Sequence, residues 1–291
     1  MIAHRFIDAQ LSTLGEGPMW SGAEQCLYWI DVVGKRVFRL EEATGRVETR
    51  DLPYAPSAIY PRAGGGFLLV TKKGMALFDF NRNELKSIEV GKVDFSREVF
   101  NDGICDSKGR LWIGTRDLNT KDPVGSLYCF EPDFSVSVHA GDLVISNGIA
   151  FSPDGGTMYH VDSRPGRIDA YDFDVEAGKL SNRRVLVSYP ADAPGHPDGC
   201  TIDSEGGLWV AEVENYRVAR FAPDGTVDRT LELPVRKPTS VMFGGRDLAT
   251  LYITSMRFRL SEEELAKQPH AGGLIAADVG FTGIPEHSFG G

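Results

Sequence analysis

One unit recurs along this chain, and its spacing restricts the available folds more than any other feature. Its clearest copy is residues 196–225, HPDGCTIDSEGGLWVAEVENYRVARFAPDG. Runs of β-branched and aromatic residues (CTID, LWVAEV, VARFA) alternate there with turn sequences (SEGG, ENYR, PDG). That alternation predicts strands joined by tight hairpins, with TVDRTLEL (226–233) as the fourth strand. No ten-residue stretch of the unit has helical periodicity. FNDGICDSKGRLWIGT (100–115), SNGIAFSPDGGTMYHVDS (146–163) and GEGPMWSGAEQCLYWIDV (15–32) are further copies. APSAIYPRAGGGFLLVTK (55–72) and KPTSVMFGGRDLATLYITS (237–255) are weaker ones. About six units at a spacing of roughly 40–50 residues, with four strands each, predict an all-β fold, a six-bladed β-propeller. The copies align Asn101 with Asp198, Cys105 with Cys200, Asp106 with Asp203 and Trp112 with Trp209.

The expected blades are 15–50, 55–90, 99–138, 146–188, 197–233 and 238–279. The last has no obvious fourth strand of its own, so residues 2–8 are expected to complete it. This closes the ring and covers a sheet edge. Because blades do not fold alone, residues 1–291 read as one domain. The insert 257–273 contains SEEELAKQ, a short helix capped by Ser261 with Glu264 closing a capping box, and is the candidate lid. Gly64–Gly66 and the Asp79-x-Asn81-x-Asn83 run read as turns; each lacks the partners of a phosphate or calcium loop.

A net charge of −10 excludes nucleic acid and anionic membrane as main partners. Four cysteines without a CxxC pair, and no apolar N-terminal segment, predict reduced thiols and a cytoplasmic location.

In a propeller the first residues of the inner strands meet at one mouth of the central channel, together with the turns between second and third strands. The inner-strand set is Glu16, Ser57, Asn101, Asn147, Asp198 and Thr239. Taken singly, Asn-Gly and Asp-Gly are ordinary turn signals. Their recurrence at equivalent positions places several polar groups on one axis, where a divalent cation with oxygen ligands would satisfy them. No GxSxG, HExxH or P-loop motif offers a rival site. His160 reads as packed or channel-facing, and His196 as a residue near the mouth.

GEGPMW (15–20), FNDG (100–103), ISNGIAFSPDG (145–155), PDGCTIDSEGGLWVA (197–211) and the C-terminal HAGGLIAADVGFTGIPEHSFGG resemble the regucalcin/gluconolactonase family. The resemblance implies a six-bladed propeller that hydrolyses sugar lactones with one divalent metal, whether calcium, zinc, magnesium, manganese or iron. It implies Glu16, Asn147 and Asp198 as metal ligands, Asp198 also as general base, and Asn101 as a substrate contact. Two positions depart from the family. Val99 stands where an arginine is usual, and Asn119 where a substrate-contacting glutamate is. The polar grip on the sugar is therefore expected to differ, unless Arg97, Arg116 or the 257–273 insert reaches in. The expected function is hydrolysis of an aldono-lactone. The alternatives are a non-catalytic calcium-binding propeller and a hydrolase of non-sugar lactones or esters.

Overall fold

The computed structural model describes residues 4–291. Twenty-four strands form six four-stranded antiparallel sheets. The inner strands are Gly15–Ser21, Pro56–Pro61, Glu98–Cys105, Ser146–Phe151, His196–Ile202 and Pro238–Gly244. Each packs against the inner strands of the two adjacent blades, and the sixth packs against the first. The ring is therefore closed around an axis lined by these six strands. In blade six the strand order is His4–Phe6, Ile275–Asp278, Thr250–Ser255, Pro238–Gly244. The N-terminal strand thus supplies the outer edge, with Phe6 opposite Ile275 and His4 opposite Ala277. Residues 2 and 3 of the expected closing strand lie outside the described residues.

Blades pack face to face through apolar clusters. Between blades five and six, Trp209 lies against Val241, Phe243 and Ile253. Both aligned tryptophans carry the same polar anchor. The Nε1–H of Trp209 donates to Asp203 Oδ2 at 2.8 Å, and that of Trp112 to Asp106 Oδ2 at 2.8 Å. The same carboxylates accept turn N–H groups, from Glu205 and Gly207 at Asp203 and from Lys108 and Arg110 at Asp106. Each also pairs with an arginine, Arg220 at 2.6 Å and Arg110 at 2.7 Å. A D-x-x-G-x-x-W spacing thus fixes hairpin, core indole and arginine together.

The helix Glu262–Lys267 has the capping box read from the sequence, with Ser261 and Glu264 bonded reciprocally. It is fastened to the preceding segment by the Arg236–Glu264 ion pair and by Arg236 N–H donating to Gln268 at 2.8 Å. After Asp278 the chain runs back across the far face of the ring. Phe289 is wholly buried and bridges to Arg62. All four cysteines are free and buried. Among the described residues no helix is long and apolar enough to cross a membrane.

Burial opposes charge on Asp203, but Arg220, the Gly207 N–H and the Trp209 indole outweigh it and hold the carboxyl below its ordinary value. Removing it takes the buried partner from a guanidinium that is almost fully buried, leaving it the more exposed Asp228 and Glu205. Asp203→Ala is expected to destabilise the fold by about 3–5 kcal/mol in urea titrations at neutral pH. Asp224→Ala, in an exposed turn, should cost well under that. The folded-state pKa of Asp203 is lowered, so its contribution is present above the unfolded value. It disappears as pH falls through the folded one.

Candidate metal centre at the channel mouth

Every inner strand breaks register once, and in five of the six the break falls on the residue that the repeat singles out; in blade one Glu16 stays paired with Ile30 and the break follows it. The shifts lie between Glu16 and Met19, Pro56 and Ala58, Phe100 and Gly103, Ser146 and Ile149, Pro197 and Cys200, and Pro238 and Ser240. A bulge re-aims the extra side chain out of the alternating pattern. Here the break takes in Ser57, Asn101, Asn147, Asp198 and Thr239, and Glu16 stands directly before the break in its own strand. Phe100 and Pro197 occupy matching ladder positions, which makes Asn101 the counterpart of Asp198, as the alignment has it. Gly103 then matches Cys200, so Cys105 corresponds to Ile202 rather than to Cys200.

These six residues divide by what their side chains do. Ser57 Oγ donates to Phe100 O at 3.0 Å, Asn101 Nδ2 to Ser146 O at 2.8 Å, and Thr239 Oγ1 to Gly15 O at 2.6 Å. Each clips its blade to the carbonyl just before the corresponding residue of the next, Asn101, Asn147 or Glu16. Glu16 and Asp198 have no proton to donate when ionised and cannot act this way. Asn147 donates to Ser163 Oγ at 2.7 Å instead. It also accepts from Asn101 Nδ2 at 2.6 Å, which leaves a lone pair of its Oδ1 available. The ring is narrow here. A Cβ on Gly148 would lie 2.6 Å from Cys200 N and 2.8 Å from Asp198 O, so only glycine lets the neighbouring bulges approach.

Glu16, Asn101 and Asn147 line a cavity of about 90 Å³ with Asp102, Lys72 and Arg116. Burial, then the charges of Asp198 and Asp102, push the Glu16 carboxyl well up. Burial and Asp102 do the same to Asp198, against the pull of the Gly199 N–H and the Asn147 amide. Asp102 is pushed up to about 6 by burial, against its own Gly103 N–H. Among the described residues none of these three carboxylates has an ion-pair partner. A mouth that gathers buried acids without countercharge fits a hard divalent cation. No three His, Cys, Asp or Glu side chains among the described residues converge as a metal group. The donor set is completed by the Asn147 amide oxygen, which suits a cation that prefers oxygen.

Asp102 also faces a second, deeper space of about 30 Å³, shared with Tyr60 and Glu286 of the returning C-terminal segment. Burial and then Asp102 push Glu286 up to about 8.

Other expected positions resolve differently. Asn119 is exposed in the turn after Leu111–Asp117, with its backbone N–H on Asp117, and does not line the cavity. Val99 is buried directly opposite Arg116, and Arg116 is the one that lines the mouth. The missing arginine has a stand-in on the neighbouring strand. The insert helix contributes nothing to the cavity wall. His160 is packed, not channel-facing. Its Nε2 meets Ser146 Oγ at 2.7 Å, and burial together with Arg183 and Arg167 holds it down to about 3. Lys72 was not singled out in sequence, although it occupies a turn between second and third strands, the position that returns to the mouth.

Asn101→Leu keeps the volume but removes both the blade clip and the brace on Asn147. Calcium affinity, read by titration calorimetry, is expected to weaken about five- to tenfold, the scale of a hydrogen bond worth about 1 kcal/mol.

The SMP-30/Gluconolactonase/LRE-like region family matches residues 14–257. A 6-deoxy-6-sulfogluconolactonase of Pseudomonas putida is 39% identical over 286 residues, covering 97% of this chain and 97% of its own. Regucalcin of Danio rerio is 36% identical over 283 residues, covering 96% and 95%. The crystal structure of a calcium-binding protein, regucalcin, from Agrobacterium tumefaciens superposes with a TM-score of 0.92 at 28% identity. It covers 99% of this chain and 97% of the other.

Proposed function

The chain belongs to the SMP-30/gluconolactonase family, and from that premise we propose that it is a metal-dependent lactonase opening a hydroxylated sugar lactone to its acid. The observation that carries this reading is that Glu16 and Asn147 line one cavity at the mouth while Asp198, whose charge bears on Glu16 and which accepts from the Asn147 amide, stands against them, the acids without countercharge. Glu16, Asn147 and Asp198 would hold the cation. When bound, it supplies a Lewis acid for the lactone carbonyl and for the charge that develops on its oxygen.

The chain's own groups do the rest. The Asp198 carboxylate takes a proton from the water that attacks the carbonyl carbon. As the ring C–O bond breaks, the same group returns that proton to the departing ring oxygen. Electrostatic pressure from Asp102 favours the protonated form of Asp198 and so assists the first transfer. Asn101 spends both Nδ2 protons on Ser146 O and Asn147 Oδ1, so its Oδ1 is the atom that can accept from a substrate hydroxyl. The four unpaired buried cysteines fit a reducing, cytoplasmic setting.

Exhaustive chelation is expected to abolish turnover and lower the melting temperature, because the ligands join blades one, four and five. Restoring a cation to about a hundred times its Kd should return roughly 2.7 kcal/mol of stability. At saturating cation, Asp198→Asn should lower kcat by at least about a hundredfold while circular dichroism stays native. Activity untouched by chelation, or an Asp198→Asn variant within about tenfold of wild type, would contradict the proposal.

A further inference from the structure

The mouth carries charge of both signs, kept apart. Glu16, Asp102 and Asn147 lie toward the axis, whereas Lys72 and Arg116 come from blades two and three in the same cavity wall. Lys72 sits in the turn after Phe67–Thr71, and Arg116 is the second-to-last residue of Leu111–Asp117. Arg116 donates only to the backbone carbonyl of Asp117, at 2.9 Å, and Lys72 Nζ has no hydrogen-bond partner among the described residues. Neither forms an ion pair among those residues.

Acidic side chains outnumber basic ones, 41 to 31. Several other buried or part-buried arginines are matched, Arg36 by Asp31, Arg110 by Asp106, Arg217 by Glu212 and Arg220 by Asp203. Lys72 and Arg116 repel each other, and burial holds the pKa of each below its ordinary value. Two half-buried cations held together without a countercharge are stabilised by an anion between them. The carboxylates of the mouth do not fill that place, since no ion pair reaches across.

Resting on the lactonase reading above, we propose that Lys72 and Arg116 form a subsite for an anionic substituent on the substrate. The lactone would carry a sulfonate, phosphate or carboxylate group away from its carbonyl. The carbonyl lies toward Asp198 and the anionic group toward blades two and three. Arg116 offers a planar fork to an oxyanion, and Lys72 a point charge. The arginine absent at Val99 would have sat directly beside it on the same sheet face, so the cationic wall is displaced by one strand.

The test compares D-glucono-1,5-lactone with its 6-phosphate and with a glucaric acid lactone carrying a 6-carboxylate, on cation-loaded protein. The anionic lactones are expected to have kcat/KM roughly ten- to a hundredfold above the neutral one, a ratio that shrinks with added salt. Lys72→Met and Arg116→Gln should each collapse that ratio about tenfold, and charge-conserving Lys72→Arg should retain it. Calorimetry with gluconate and gluconate 6-phosphate reads the same preference without turnover. If the phosphate binds better but no lactone is opened, the subsite stands and the lactonase reading falls. If neutral and anionic lactones are opened equally, or the variants reduce both alike, the subsite is overturned and the lactonase reading survives.

Discussion

One extra residue at the start of each inner strand organises this molecule. The bulge turns a side chain out of the sheet and onto the ring axis, and the ring then has to satisfy whatever it presents there. Ser57, Asn101 and Thr239 satisfy themselves by donating to the next blade, and so hold the ring together. Glu16 and Asp198 cannot, and Asn147 spends its protons elsewhere. Their oxygens are left in a narrow, buried space that raises the cost of negative charge. Half of the belt is therefore a structural clasp and half an open shell of acceptors.

The rest of the fold keeps that shell at its small radius. Asp106 and Asp203 lock hairpins, indoles and arginines at the far end of their blades. The N-terminal strand completes blade six, so the seam between blades six and one is held by sheet pairing as well as by Thr239. Glycine at positions such as 148 lets neighbouring strands approach at the bulge. These contacts explain how residues more than a hundred positions apart can share one ligand. Such a ligand would in turn stiffen the ring.

Much of this was legible in the sequence, because a propeller repeats its information. Strand runs alternating with turns at a spacing of roughly 40–50 residues marked the blades, and their alignment picked out the six residues of the belt, with Asn101 as the counterpart of Asp198. What failed depended on a single loop or on one position of drift. Asn119 was matched by its distance from Gly114-Thr115, yet the turn that follows Asp117 carries it into solvent. Cys105 and Cys200 looked equivalent only because the two copies place their glycines one residue apart. Lys72 and Asp102 belong to no recurring pattern, so nothing in one copy points to them in another. Arg116 could be found only as the cross-strand neighbour of Val99, which requires the register itself.

Glu16, Asp198 and the Asn147 amide are proposed to complete their valences on a cation. A crystal grown with manganese or calcium, and measured for anomalous scattering, tests it directly. The account predicts one strong peak on the channel axis bonded to Glu16, Asn147 and Asp198, at about 2.0–2.6 Å depending on the ion. The peak should vanish in Glu16→Gln/Asp198→Asn crystals that keep the same fold. A well-ordered mouth with no peak at saturating cation, or a peak bound only elsewhere on the ring, would contradict it.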